Sequence, residues 1–268
     1  MQELNKPKKR IASRDSGLML AALGILAYAA SMMTHEALGH GGYCLASGGH
    51  NVMLTAWGES CNPHVPRIEA AGPGVQFGAG LVAWFVLRRV STIAGRLRCF
   101  LWLYMAFSLF VSSGYVLFSG VTNFGDAAVL IAGLQPSLLW RGGLVLLGAV
   151  IYFLSMRVAA AELKRLAGAD TDPKRLWRLV WIPYATAGVF ACCCGSLNQT
   201  MGFGSAVGLA AASSFGGGFG LLRVPDMQRG WVAKEALPTR YLSWSPIWGS
   251  AAAVTIVVFI LFIGPGLR

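Results

Sequence analysis

The chain has 268 residues, of which 55% are hydrophobic and only 12% are Asp, Glu, Lys or Arg. That is about half the charge of a soluble domain, which excludes a disordered segment, a coiled coil and an ordinary cytosolic enzyme. The net charge of +11 does not mark a nucleic-acid partner, because the basic residues fall in short segments between apolar runs.

A transmembrane helix needs about 20 mostly apolar residues. Seven stretches qualify: roughly Gly17–Leu38, Ala70–Leu87, Cys99–Ser119, Leu138–Met156, Leu179–Cys194, Phe203–Leu222 and Ile247–Ile263. The composition therefore predicts an all-α, polytopic membrane helix bundle of about seven spans, with the lipid bilayer as its surroundings. The first span opens like a signal peptide, with a basic stretch, an apolar run and Ala27-Tyr28-Ala29, and is expected to stay as an uncleaved anchor. Span six carries Gly204-x-x-x-Gly208 and Gly216-x-x-x-Gly220, a spacing that lets helices approach closely. The loop Arg223–Ser245 is long enough for a hairpin or one short helix.

Lys and Arg set the orientation. Lys6, Lys8, Lys9, Arg10 and Arg14 precede span one; Arg88, Arg89, Arg96 and Arg98 follow span two. Arg157, Lys164, Arg165, Lys174, Arg175 and Arg178 follow span four; Arg223, Arg229, Lys234 and Arg240 follow span six. Nineteen of the 22 basic residues thus lie on alternate, same-side segments, leaving Arg67, Arg141 and Arg268 on the other side. The positive-inside rule places the N-terminus in the cytoplasm and, with seven spans, the C-terminus outside.

All four histidines, His35, His40, His50 and His64, fall in one window at or beyond the outer end of span one, together with Glu36, Glu59, Cys44 and Cys61. Ionisable residues at membrane depth are costly and are candidate functional groups. The core reads Thr34-His35-Glu36-Ala37-Leu38-Gly39-His40. A zinc hydrolase commonly uses H-E-x-x-H, whose histidines share a helix face while the Glu acts as base. Here the second His is one residue further on, rotated about 140° from the first on an ideal helix. The two histidines can cooperate only if the helix is bulged or broken. A π-bulge absorbs one extra residue, and Gly39, Gly41 and Gly42 make distortion cheap. The alternative pair on a regular helix is Glu36 with His40, as two ligands or as a hydrogen-bonded pair.

Further along stand Ala71-Gly72-Pro73-Gly74-Val75-Gln76, which reads alone as a turn followed by a helix start, and Asn123-Phe124-Gly125-Asp126. Alone, Asp126 reads as the N-cap of a helix over Ala127–Leu134. In this order the segments resemble the site-2 protease family of intramembrane zinc metalloproteases. That family has H-E-x-x-H in one span, a strand-bearing loop, an A-G-P-x-x-N helix start and a later aspartate ligand. Val52–Trp57 stands where the strand would lie, so a β-hairpin is expected in the outer loop, and Gln76 stands where the family has asparagine. The longer His spacing is similar to the H-E-L-L-G-H motif of the dipeptidyl peptidase III family, which binds zinc through both histidines.

The resemblance covers about residues 17–135 and implies a metal-binding membrane core over residues 1–135, to which residues 136–268 add further helices of the same bundle. It implies zinc held by His35, His40 and Asp126, with a fourth position for water. It also implies Glu36 as the catalytic base, Gln76 as a substrate-binding residue, and a membrane-associated peptide or protein as substrate near the outer face. The alternative is a catalytically inactive protease-like subunit that binds a partner in a larger membrane complex. A metal-dependent membrane oxidase would need more ligands than these.

Cys44 and Cys61 read most simply as a disulfide in an oxidising compartment, with metal ligation alongside His50 and His64 as the rival. His50 and His64 otherwise read as exposed loop residues. Cys192-Cys193-Cys194 cannot jointly hold one metal on a helix and read as apolar core. The nine tryptophans, Trp231 included, mostly fall near span ends as an aromatic belt. A C-terminal tag should be cleaved by protease added to intact spheroplasts; a protected tag would mean an even number of spans.

Overall fold

The computed structural model describes residues 14–168, 172–228 and 241–267. Lys6, Lys8, Lys9, Arg10, Arg229, Trp231, Lys234, Arg240 and Arg268 lie outside them, as does most of the loop Arg223–Ser245. Seven helical stretches in the described residues are long and apolar enough to cross a membrane: Gly17–Ala46, Ile68–Arg89, Gly95–Thr122, Ser137–Ala167, Pro173–Gly195, Phe203–Arg223 and Pro246–Ile263. The chain is an all-α, multi-pass membrane helix bundle, and the one sheet among the described residues is a two-stranded hairpin.

The first stretch is α1 (Gly17–Met33), a π-helical segment Thr34–Gly41 and the short α2 (Gly42–Ala46). Strands β1 (His50–Thr55) and β2 (Gly58–Asn62) follow as an antiparallel hairpin with a register shift between Asn51 and Met53. Then come α3 (Ile68–Arg89), α4 (Gly95–Thr122), the short α5 (Asp126–Leu130), α6 (Ser137–Ala167) and α7 (Pro173–Gly195). Span six is not one regular helix. It runs from α8 (Phe203–Ala211) through a π segment, Ala212–Gly216, to α9 (Gly220–Arg223). The last span is α10 (Pro246–Val258), ending in a π turn at Phe259–Ile263.

Local chemistry explains the helix ends. Ser16 caps α1 by accepting from the Met19 amide, and Asp172 caps α7 from the Lys174 amide ahead of Pro173. At the end of α4 the chain turns through Asn123 at φ 56°. Arg141 donates from Nε to the Gly120 carbonyl (3.0 Å) and from its guanidinium tip to the Val121 carbonyl (2.7 Å), filling orphan acceptors there.

Helices α1 and α4 form the buried centre. Helix α4 packs on α3, α6 and α1, and α1 packs on α7 and α10. Lipid offers no hydrophobic drive for helix association, so close packing at small residues carries it. Gly24 of α1 lies against Pro183 of α7, and Gly148 of α6 lies against Leu117 of α4. Of the span-six glycines, Gly204, Gly208 and Gly216 face open space, while Gly220 abuts Tyr152. The expected packing role therefore holds only at Gly220 in the second motif.

The basic end of the bundle is tied together by ion pairs. Asp15, buried, takes Arg175 at 2.6 Å and the Leu242 amide at 2.7 Å, joining three spans. Glu162 meets Arg88 and Arg165 at 3.6 and 3.3 Å. A Cβ at Gly24 would sit 2.5 Å from the Pro183 Cα, which is backbone and cannot swing aside. Gly24→Leu should therefore destabilise the bundle by at least about 1–3 kcal/mol. The check is the melting temperature in detergent, where an unchanged value would refute the α1–α7 contact.

Candidate metal centre

The seven residues from Thr34 to His40 all lie in the π segment. Its i→i+5 hydrogen bonding stacks residues five apart. His35 and His40 thus share a face despite the extra residue, and the rival Glu36–His40 face is not the one used. The His35 and His40 Nε2 atoms are 3.1 Å apart. Asp126 Oδ2 lies 3.1 Å from His35 Nε2 and 3.3 Å from His40 Nε2. Three ligand-type atoms from two distant segments thus meet at one point, and all three residues are nearly buried.

Asp126 is not a helix cap. Gly125, at φ 89°, holds the cap position of α5, which ends at Leu130, so the Asp126 carboxylate turns to the histidines. Helix α3 likewise begins earlier than expected, at Ile68, and Pro73 sits inside it. That brings Gly72 onto the site rather than into a turn. A Cβ there would lie 2.2 Å from His40 Nε2 and 2.8 Å from His35 Nε2. A Cβ added at Gly39 would lie 2.6 Å from the Gly72 Cα and 2.8 Å from the Ala71 carbonyl oxygen, so the π segment and α3 pack backbone to backbone there.

The far ring nitrogens are also fixed. His40 Nδ1 donates to the Ile68 carbonyl at 2.8 Å. His35 Nδ1 bonds Gln76 Oε1 at 3.0 Å. The orientation of Gln76 follows from its other end, because its amide nitrogen donates to the Ser31 carbonyl (3.2 Å) and hydroxyl (2.9 Å). Ser112 also donates to Gln76 Oε1. Both imidazoles therefore carry a proton on Nδ1, and in their neutral forms both Nε2 atoms present lone pairs. Two lone pairs and a carboxylate oxygen cannot sit within 3.3 Å of one another without positive charge between them. One cation meets that need, and so do two extra protons, one on each ring. In the protonated case burial opposes the Asp126 charge, but the hydrogen bonds and charges of His35 and His40 prevail and hold its carboxyl below the ordinary carboxylate range. The donor set, two imidazole nitrogens and one carboxylate oxygen with carbonyl partners behind the rings, fits a zinc-type ion.

Gln76 is fully buried behind His35, and its amide is used up. It holds the ring in place and does not reach the cavity, so the expected substrate contact is replaced by a positioning role. Glu36 does face the cavity. It is buried, and its Oε2 has no hydrogen-bond partner among the described residues. The cavity holds about 270 Å3 and is also walled by Trp57, Glu59, Glu69 and Tyr115. Burial raises the pKa of Glu59, with Glu69 adding to it.

Sequence reasoning missed Tyr115, whose ring lies edge-on to His35 at 5.9 Å. It also missed Ser31, Ser108 and Ser112, the hydroxyls around Gln76. Serines four apart in an apolar helix, at 108 and 112, were the available signal. His64 lines the cavity and pairs with Glu69 at 3.6 Å, outside the ligand cluster, and His50 is exposed on β1. Cys44 and Cys61 form a disulfide, so no free thiolates remain there for a metal. Cys193 is exposed and Cys194 buried at the end of α7, and neither is among the clustered ligand atoms.

No protein-family model, curated protein or solved structure matches the chain. Ala is a better helix former than Gly, so Gly72→Ala should keep the fold while displacing both imidazoles. Divalent-metal affinity should fall at least tenfold with helical circular dichroism unchanged; undiminished affinity would exclude the cluster as a metal site.

Proposed function

We propose that the chain is a membrane-embedded zinc metalloprotease of site-2 type. It hydrolyses a membrane-associated peptide or protein near the extracytoplasmic face of a bacterial-type inner membrane. The observation that carries this reading is the meeting of His35 Nε2, His40 Nε2 and Asp126 Oδ2 within 3.3 Å, beside the unpartnered carboxylate oxygen of Glu36.

Zinc, when bound by His35, His40 and Asp126, supplies Lewis-acid activation of water near neutral pH. The chain's own groups do the rest. Glu36 Oε2 takes the proton from the attacking water and returns it to the leaving amine. Gln76 and the Ile68 carbonyl hold the two rings with Nε2 toward the reacting centre. The low exposure of His35, His40 and Glu36 strengthens each charge interaction at the cluster. Strand β2 runs along the cavity wall at Gly58–Cys61, and only its β1-facing edge is paired among the described residues. An extended peptide can add to such an edge.

The orientation has two supports. The basic segments argue for a cytoplasmic N-terminus. The disulfide Cys44–Cys61 lies at the same end as the cluster, which suits an oxidising outer compartment.

Cells carrying wild type and cells carrying Glu36→Gln should differ in the new N-termini found on membrane-associated proteins, with termini lost in the mutant. Identical termini would refute proteolysis and leave a partner-binding subunit with a structural metal. Metal binding must displace ring protons, so zinc affinity should fall as pH drops from about 8 to about 6. An affinity flat across that range would contradict histidine ligation. Gln76→Leu should weaken zinc binding by roughly 10–100-fold, the usual cost of removing a partner behind a ligand.

A further inference from the structure

A second cavity opens between α4, α6 and span six. It holds about 400 Å3 and is walled almost entirely by apolar side chains, among them Val111, Leu117, Phe118, Val121, Leu209 and Phe219. Of its hydroxyls, Tyr152 donates to the Gly217 carbonyl (2.8 Å) and accepts from the Gly220 amide (2.7 Å), Ser213 pairs with the Tyr28 hydroxyl (3.1 Å), and Tyr115 stands at one edge. Val121 and Phe219 are more than half exposed, so the groove opens on the lipid-facing side of the bundle. The irregular backbone of span six makes the room. The π segment Ala212–Gly216 forms one wall, and a Cβ at Gly216 would meet nothing within 4 Å.

Tyr115 belongs to both cavities: it walls the polar one beside His35 and the apolar one beside Phe118. The two spaces are thus neighbours across one side chain. Size decides what the apolar one holds. A helix about 10–12 Å across with a 5.4 Å pitch fills roughly 400–600 Å3 per turn, so the groove takes about one turn of a transmembrane helix. It is instead the size of a ligand site, suited to one hydrocarbon chain. Charge decides what that chain is attached to. Among the described residues the polar cavity is walled by Glu36, Glu59, Glu69 and Asp126 with no Lys or Arg, so even with a divalent cation on the cluster four carboxylates leave it net negative, and a phosphate or a free carboxylate is disfavoured there. A neutral amide is not.

The geometry points to an acylated peptide as the substrate class. Its single hydrocarbon chain lies in the groove between α4, α6 and span six, and its peptide backbone enters the polar cavity past Tyr115. This rests on the peptidase reading of that cavity and narrows it from any membrane-associated peptide to one anchored by a lipid chain.

The test uses the full chain in phosphatidylcholine nanodiscs and an N-palmitoyl tripeptide amide with a photoreactive diazirine in the chain. Illumination should place the label on α4 and on the Ala212–Gly216 segment. Gly216→Leu, which fills the groove without touching the His cluster, should cut that labelling at least fivefold while zinc content stays at the wild-type level. Excess unlabelled palmitoyl peptide should compete at least tenfold better than palmitic acid or the same peptide without its chain. Equal competition by palmitic acid would make the groove a site for bilayer lipid and overturn the proposal. Label spread evenly over the lipid-facing helices, or unchanged in Gly216→Leu and by competitor, would also overturn it. Groove labelling that persists in a protein without zinc would mean that the hydrolase reading alone has failed.

Discussion

Two imidazole nitrogens and a carboxylate oxygen, all on nearly buried side chains, are held within 3.3 Å of one another, and that arrangement constrains everything around it. It requires positive charge at its centre. It also requires a helix that puts residues five apart on one face, which a regular α-helix does not do. The π segment meets that requirement at Thr34–Gly41. Its backbone fits against α3 only because Gly39 has no side chain, and the two rings fit over α3 because Gly72 has none. Behind it, Gln76 ties α3 to α1 and α4 through His35, Ser31 and Ser112, so three spans are locked by one buried amide.

The spans and the membrane class were legible because composition and run length are strong signals in an apolar environment. All seven stretches appear where hydropathy puts them, with ends extended by up to about three turns of helix, as at Ser137–Ala167. The joining of His35, His40 and Asp126 was legible only through motif order, since residues 91 positions apart leave no periodic trace. The hairpin was legible through the resemblance, which put a strand at Val52–Trp57. What could not be read was side-chain direction. Gln76 was expected to face a substrate, but its amide is saturated from behind, and no spacing rule reveals which end of a buried amide is free. The role of Gly72 was hidden for a related reason: Gly-Pro-Gly reads as punctuation, while here the helix runs through it and the missing side chain makes room for the rings.

The bundle divides its labour between its two ends. At the basic end, Asp15–Arg175 and Glu162 with its arginines join spans one, two, four and five, and the Leu242 amide on Asp15 brings in the chain before span seven. Surface ion pairs contribute little, but the Asp15 pair is buried and its carboxylate is satisfied by several donors. At the other end the chain places its costly polar groups: the cluster, the orphaned Glu36 oxygen and the hairpin stapled by Cys44–Cys61. Distorted backbone occurs beside both cavities, at Thr34–Gly41 and at Ala212–Gly216. Such bulges gather at functional sites because they position groups that a regular helix cannot.

The most direct test of the central claim is metal content, measured by mass spectrometry on detergent-purified wild type beside Asp126→Ala. The account predicts about one zinc per chain in wild type and loss of that zinc in the mutant. Such a result would tie the π segment of the first span to the short helix after the third. A wild-type protein without metal, or an Asp126→Ala protein that keeps its zinc in full, would contradict it.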